Sequence, residues 1–294
     1  MVDPDILDFY GRGPEDGRLA GAGSPSGPLE LVRTQELITR FLGPPPLNIL
    51  DVGGGPGIYA AWLADTGYRV SLIDPVPLHV EQAMARHPAV APTLGDARAL
   101  GARDASADAV LLLGPLYHLI ERGDRLSALR EARRVLVPGG LLFAAAISRF
   151  AALLDLLVRL DRYHEAPVAD LVGAAVSSGL FRGNEHGMFT TAYFHLPADL
   201  VAEIDAAGFT DTRVFNIEGP GFLVGDFEAR WADPARREAM LSAARSSNRS
   251  RACSGRPVTC SPWLPCQRAR RAVPAATARY CNSGRRATEI SERR

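Results

Sequence analysis

Between residues 30 and 148 short apolar runs alternate with stretches whose apolar positions recur at helical spacing. Residues 30–41, ELVRTQELITRF, set Leu31, Leu37, Ile38 and Phe41 on one such face, and the prolines at 44–46 end the helix. LNILDV then reads as a buried strand, GIYAAWLADTG as a helix closed by Gly67, and YRVSLID as a second strand. PLHVEQAMARH is a second helix of this series, APTLGDA a shorter extended piece, and ADAVLLLG a strongly apolar strand. RLSALREARRVL is amphipathic, and PGGLLFAAAIS opens a further strand after a Pro-Gly-Gly turn. Strands separated by helices of this length pair in parallel through right-handed crossovers. Their unbroken apolar runs fit burial on both faces. The pattern predicts an α/β, doubly wound sheet whose ligands bind outside the carboxyl ends of the strands.

Past residue 150 the pattern loosens. Residues 150–189 are too long for a plain connection, and Leu153, Leu154, Leu157, Val158 and Leu160 recur at helical spacing. A helical lid over an acceptor site is expected there. TTAYFHLP predicts a strand with Tyr193 and His195 on one face, and PADLVAEIDAAGF a helix. His164 and His186 read as structural or exposed. The domain plan is a cap at 1–29, a main domain at 30–245 and a distinct tail at 246–294.

The chemistry concentrates after the first strand, in GGGPG. Gly53, Gly55 and Gly57 alternate, with Gly54 between them. A tight turn needs one glycine; four in five positions fit a flat ligand lying against bare backbone. A Walker loop requires Gly-Lys-Ser/Thr, and the chain has no lysine. The dinucleotide spacing G-x-G-x-x-G/A fails from Gly53, where Ile58 falls last, and places its first glycine too late when counted from Gly55. Asp74 ends the second strand about 20 residues on, where a carboxylate accepts from both ribose hydroxyls. Asp96 ends the third extended piece, where a carboxylate can accept from an exocyclic amine.

Together LDVGGGPG, IDP, GDA, DAVLLLGPLYHL and VLVPGGLLFAA resemble the class I S-adenosylmethionine-dependent methyltransferases of the small-molecule "type 11" kind. The resemblance covers residues 30–150 with specific motifs and 190–225 more loosely. It implies a Rossmann-like seven-stranded sheet with the last strand antiparallel, and S-adenosyl-L-methionine as cofactor. It implies Gly53, Gly55 and Gly57 around the methionine part, Asp74 on the ribose, and Asp96 with Ala97 at the adenine, with Asp51, Gly54 and Pro75 as further cofactor-binding candidates. Leu113 and Gly114 would line the pocket floor, and Arg33 is a candidate for the cofactor carboxylate. The resemblance also suggests that the N-terminal segment with Tyr10 and Arg12 folds over the cofactor.

Such chemistry needs a positioned nucleophile rather than a triad, and a base only for a hydroxyl or carbon acid. His118, in GPLYHLIER, is the first candidate for base or cofactor contact, and His195 the second for the acceptor. Gly114-Pro115-Leu116-Tyr117 stands where enzymes methylating nucleic-acid bases often carry Asn/Asp-Pro-Pro-Tyr/Phe, which argues against that class. The expected reaction is methyl transfer to a small molecule. A nicotinamide-dependent oxidoreductase and a cofactor-binding but inactive protein are the alternatives.

Composition changes this picture only at the end of the chain. The 33 basic and 33 acidic residues balance, and no run approaches the ~20 apolar residues of a membrane helix. The expectation is a soluble cytoplasmic protein with no nucleic-acid, membrane or metal partner. From Ser246 onward, however, eleven arginines face two acids, and all four cysteines (Cys253, Cys260, Cys266, Cys281) lie in this stretch. A basic arm binding nucleic acid or anionic lipid is one reading. Zinc is opposed by the lack of C-x-x-C spacing and of histidine. A GC-rich gene read out of frame yields the same Arg, Pro, Ala, Ser and Gly bias, and is the favoured reading.

Overall fold

The computed structural model describes residues 3–13, 15–248 and 256–261. Helix α1 (Pro4–Gly11) starts on Asp3, whose carboxylate accepts from the Asp5 N–H, and α2 (Gly27–Phe41) follows. The alternating core then runs β1 (Asn48–Val52), α3 (Ile58–Asp65), β2 (Arg69–Asp74), α4 (Pro77–Arg86), β3 (Ala91–Leu94), β4 (Ala107–Leu112). It continues with α5 (Pro115–His118), α6 (Arg122–Val135) and β5 (Leu136–Ser148). These are the elements the apolar pattern predicts, apart from the one-turn α5.

The sheet shows why the strands read as continuous apolar runs. Leu50, Val52, Val110, Leu112, Leu142 and Ala144 face one core with α6. Ile49, Ala109, Leu111 and Phe143 face the other, with α2, α3 and α4. Alternate residues of each strand thus enter opposite buried layers.

A small lid-like unit follows: α7 (Ala151–Leu154), a π turn (Asp155–Arg159), α8 (Ala166–Ser178), β6 (Leu180–Arg182) and β7 (Thr191–His195). It packs its own core of Leu156, Val168, Val172, Phe181 and Phe194. The expected helical insertion also holds the short strand β6, which forms a hairpin with β7, the strand expected at TTAYFHLP. The expected leucine stripe is also redistributed: Leu156 is buried, whereas Leu157, Val158 and Leu160 face outward on the π turn and just after it. The extra residue per turn rotates the face away from that of an α-helix. After α9 (Pro197–Ala206) come β8 (Thr212–Asn216), α10 (Phe227–Ala232), α11 (Pro234–Ser246) and β9 (Arg256–Ser261).

Seven strands run β3-β2-β1-β4-β5-β7-β6, with β6 antiparallel to β7 at the end. The mixed seven-stranded path with one antiparallel edge is as expected, but that strand is the sixth in chain order. β8 and β9 add to the sheet beyond the path, β9 pairing in parallel with both β5 and β8. The tail expected to be irregular therefore contributes one strand, because the free main-chain groups of two strands pair with any extended segment. Cys260 lies on that strand; Cys253, Cys266 and Cys281 lie outside the described residues. Among the described residues no helix is long and apolar enough to cross a membrane.

β5 outlasts β4. Its pairing with β4 ends at Ala144, and Ile147 and Ser148 pair with Phe194 and His195 of β7. This brings the hairpin to the carboxyl edge of the sheet, beside α5.

Candidate active site

A cavity of about 520 Å³ opens at the carboxyl ends of β1, β2 and β4, within the range of small-molecule sites. Its floor is Gly53–Gly55, Asp74, Asp96 and the Leu113–Gly114 turn; its roof is α1 and the segment that follows it. Two of the glycines serve the protein's own packing. A Cβ at Gly53 would lie 2.7 Å from the Pro115 ring, and one at Gly54 would lie 2.7 Å from the Asp51 carboxylate. Gly55 differs: its φ of +57° suits glycine, and a Cβ there would meet only Glu15 at 3.4 Å and His79 at 4.0 Å, across the cavity.

Asp74 is buried and makes three contacts. It accepts the N–H of Gly55 at 2.8 Å and of Val76 at 2.9 Å, and meets His79 Nδ1 at 3.0 Å. One carboxylate thereby shapes the glycine turn and holds it to the start of α4. Asp51 sits behind the turn with its Oδ2 buried and without a hydrogen-bond partner. Burial, and then the Asp74 charge, push its carboxyl up to about 7. Asp96 is gripped by Arg98 at 2.6 Å, which also reaches Asp124 at 2.7 Å. That hydrogen bond holds the Asp96 carboxyl below its usual range.

The roof carries charge that strand-and-helix periodicity does not reveal. Arg18 bonds Glu15 at 2.8 Å and Glu30 at 2.6 Å, and all three line the cavity. Burial pushes Glu15 up, against the pull of Arg18. Tyr10 is buried, and its hydroxyl lies 2.8 Å from His118 Nε2. Burial pushes the His118 ring down to about 4, so it is neutral at pH 7. Thr191 of β7 completes this corner, with its hydroxyl buried and unpartnered.

Residues 50–144 match the family model of the methyltransferase domain. Over this stretch the chain is similar to methyltransferase domains. It is similar to a ubiquinone biosynthesis O-methyltransferase of Methylocella silvestris, 39% identical over 35% of this chain and 41% of that protein. A protein of the same name from Methylobacterium nodulans is 27% identical over 70% of this chain and 78% of the relative. The first alignment thus spans about two fifths of its relative's length. A solved structure of an S-adenosylmethionine dependent methyltransferase from Mesorhizobium loti shares the fold at TM-score 0.50 and 16% identity, covering 77% of this chain and 94% of that one.

The cavity brings together Asp51, Gly53, Gly54, Gly55, Asp74, Pro75, Asp96, Ala97, Leu113, Gly114 and His118. Three expectations are corrected. Gly57 lies outside the cavity, at the N-cap of α3, where a Cβ would crowd His87 and Ala83. Arg33 is buried in α2, pairing with Glu36 and the Ile217 carbonyl, because its helical face turns toward β8 rather than the cavity. His195 has no exposure and lies against Glu203 at 3.4 Å, behind the hairpin. The strand period places it with Tyr193, but that face meets α6 and α9. Arg18, not Arg33, is the arginine of the roof that lines the cavity. Sequence reasoning missed it, with Glu15, because the roof before α2 has no period to follow; Glu30, at the start of the predicted helix, read as an ordinary polar position.

Proposed function

We infer that the chain transfers a methyl group from S-adenosylmethionine to a small-molecule acceptor. The observation that carries this reading is the Gly55 approach beside an orphaned buried carboxylate. A Cβ at Gly55 would project into the cavity, and Asp51 Oδ2 has no partner there. The cofactor's ammonium suits Asp51, its carboxylate suits Arg18, and its ribose and adenine suit Asp74 and the Asp96–Ala97 edge. When bound, the cofactor supplies a methyl already activated on a sulfonium. The chain's own residues then orient the acceptor and exclude water: α1 roofs the cavity, and Tyr117, His118 and Thr191 wall the side away from the glycines.

S-adenosylhomocysteine at a hundred times its Kd is expected to stabilise the chain by about 2.7 kcal/mol. That corresponds to a rise in melting temperature of roughly 5–10 °C for a domain of this size. NAD(H) is expected to leave it unchanged. The opposite pattern in a thermal-shift assay removes the methyltransferase reading in favour of an oxidoreductase.

Asp51 makes the binding pH-dependent. Its carboxyl, raised to about 7, is largely protonated in the free protein at pH 6. A cationic group beside it favours the ionised form, so S-adenosylhomocysteine affinity should climb as pH rises from about 6 to about 8. Calorimetry at pH 6.5 in buffers of different ionisation enthalpy should register a released proton, and Asp51→Asn should not. For folding alone the sign is reversed. The native state holds this proton longer than the unfolded chain, so the ligand-free protein loses stability as pH rises from about 4 to about 7.

A further inference from the structure

The cavity corner at His118 is occupied by the protein's own phenol. Tyr10 comes from α1, sets its hydroxyl 2.8 Å from His118 Nε2, and meets that ring edge-on at 5.2 Å. Burial keeps the Tyr10 hydroxyl protonated and the imidazole neutral. His118 Nδ1 is buried without a hydrogen-bond partner, and in the tautomer that carries its proton on Nδ1 the Nε2 atom accepts from the phenol. The surroundings suit a flat apolar body. Phe189 lies 5.7 Å from the His118 ring and 6.4 Å from Tyr117, and Ile6 lines the cavity. The Thr191 hydroxyl is buried beside it with no partner.

We propose that Tyr10 is a built-in stand-in for the methyl acceptor, and that the acceptor is a neutral aromatic hydroxyl compound which displaces Tyr10 from His118 Nε2. This rests on the methyl-transfer reading and adds the substrate class and the subsite. In the productive complex the acceptor oxygen forms a bond to the methyl carbon as its O–H proton passes to Nε2. The carbon–sulfur bond breaks with its electron pair left on sulfur. The products are an aryl methyl ether and an imidazolium that returns its proton to solvent. A carboxylate acceptor would meet no positive charge at a neutral His118.

The stand-in must also leave. Helix α1 is held at its outer end by Asn184, which donates to Asp5 at 3.0 Å across the mouth of the hairpin. Both Asn184 and Asp5 are exposed. Apparent acceptor affinity is therefore the intrinsic affinity scaled by the fraction of molecules in which a shift of α1 has withdrawn Tyr10 from His118. Removing the Tyr10 hydroxyl or the Asn184 clip raises that fraction.

The test is phenol binding to the full chain saturated with S-adenosylhomocysteine, followed by calorimetry and by the imidazole nitrogens of 15N-histidine-labelled protein. Tyr10→Phe should bind phenol about five- to ten-fold tighter than the parent, the order of one lost competing hydrogen bond. The surface variant Asn184→Ala, which leaves the core intact, should bind it about two- to three-fold tighter. Phenol should move the His118 Nε2 resonance, and adding His118→Gln to either variant should cancel the gain. Benzylamine and benzoate should gain nothing. Equal phenol affinity in all three proteins, or an equal gain for benzylamine or benzoate, overturns the proposal. Failure of the parent chain to bind S-adenosylhomocysteine instead overturns the methyl-transfer reading.

Discussion

Glu203→Ala is expected to cost about 3–5 kcal/mol of folding stability, the largest loss from any single side chain considered. Glu203 on α9 receives Nε and Nη2 of Arg125 from α6, each at 2.8 Å, and both side chains are almost completely buried. The guanidinium also donates to the carbonyls of Leu119 at 2.9 Å and Ile120 at 2.7 Å, and lies 3.7 Å over the Tyr193 ring. Truncating Glu203 strands a permanent positive charge in the interior. A double variant, Arg125→Met with Glu203→Leu, should recover most of the loss, because apolar residues of similar volume often replace a buried pair without penalty. It should not recover all of it, since the Leu119 and Ile120 carbonyls then lose their donor, at about 1–3 kcal/mol per unsatisfied group. Denaturant midpoints at unchanged m-value measure all three. A loss below about 1 kcal/mol in the single variant refutes the assignment. The same pair sets an acid limit. Burial pushes the Glu203 carboxyl up, but His195 and Arg125 outweigh it and hold it at about 2. Its contribution is complete above about pH 4.3 and is lost as pH falls toward about 2.

The network also bears on the site. Arg125 grips the two residues that follow His118, so the one-turn α5 is tied to α6, α9 and β7 through a single guanidinium. His195, expected at the acceptor, belongs to this support instead.

Asp74→Ala is the second large effect. Its carboxylate satisfies two buried N–H groups and faces His79, so its loss leaves the Gly55 turn without its anchor. A stability loss of roughly 2–4 kcal/mol follows from about 1–3 kcal/mol per unsatisfied buried group. S-adenosylhomocysteine affinity should fall about 100-fold, the sum of a lost ribose acceptor and a relaxed turn, each near 1.4 kcal/mol. Asp74→Asn keeps one acceptor oxygen and should lose less on both counts. Calorimetry and denaturant unfolding of the pair decide it. An alanine variant that retains parental affinity removes Asp74 from the cofactor site.

The elements from residue 30 to 148 were legible because each has to bury a face. Leu50 and Leu111 enter different layers by strict alternation, and Leu126, Leu129 and Ala132 repeat along α6. The hairpin β6–β7 was half legible: TTAYFHLP showed as a strand, but its three-residue partner is too short to carry a period. That the glycine turn borders a cavity was legible, whereas the division of labour within it was not. That Gly53 yields to Pro115 and Gly54 to Asp51 depends on groups 62 and three residues away along the chain.

The sequence by itself determined the alternating α/β order, the doubly buried sheet and the cavity floor, because periodicity and strand-end chemistry are local properties. Only the tertiary structure decided the roof and the partners. Tyr10 reaches His118 across 108 residues, Arg125 reaches Glu203 across 78, and Arg33 turns away to Ile217 across 184. A buried charge or hydroxyl takes whatever complementary group the fold sets beside it, and no spacing along the chain encodes that distance.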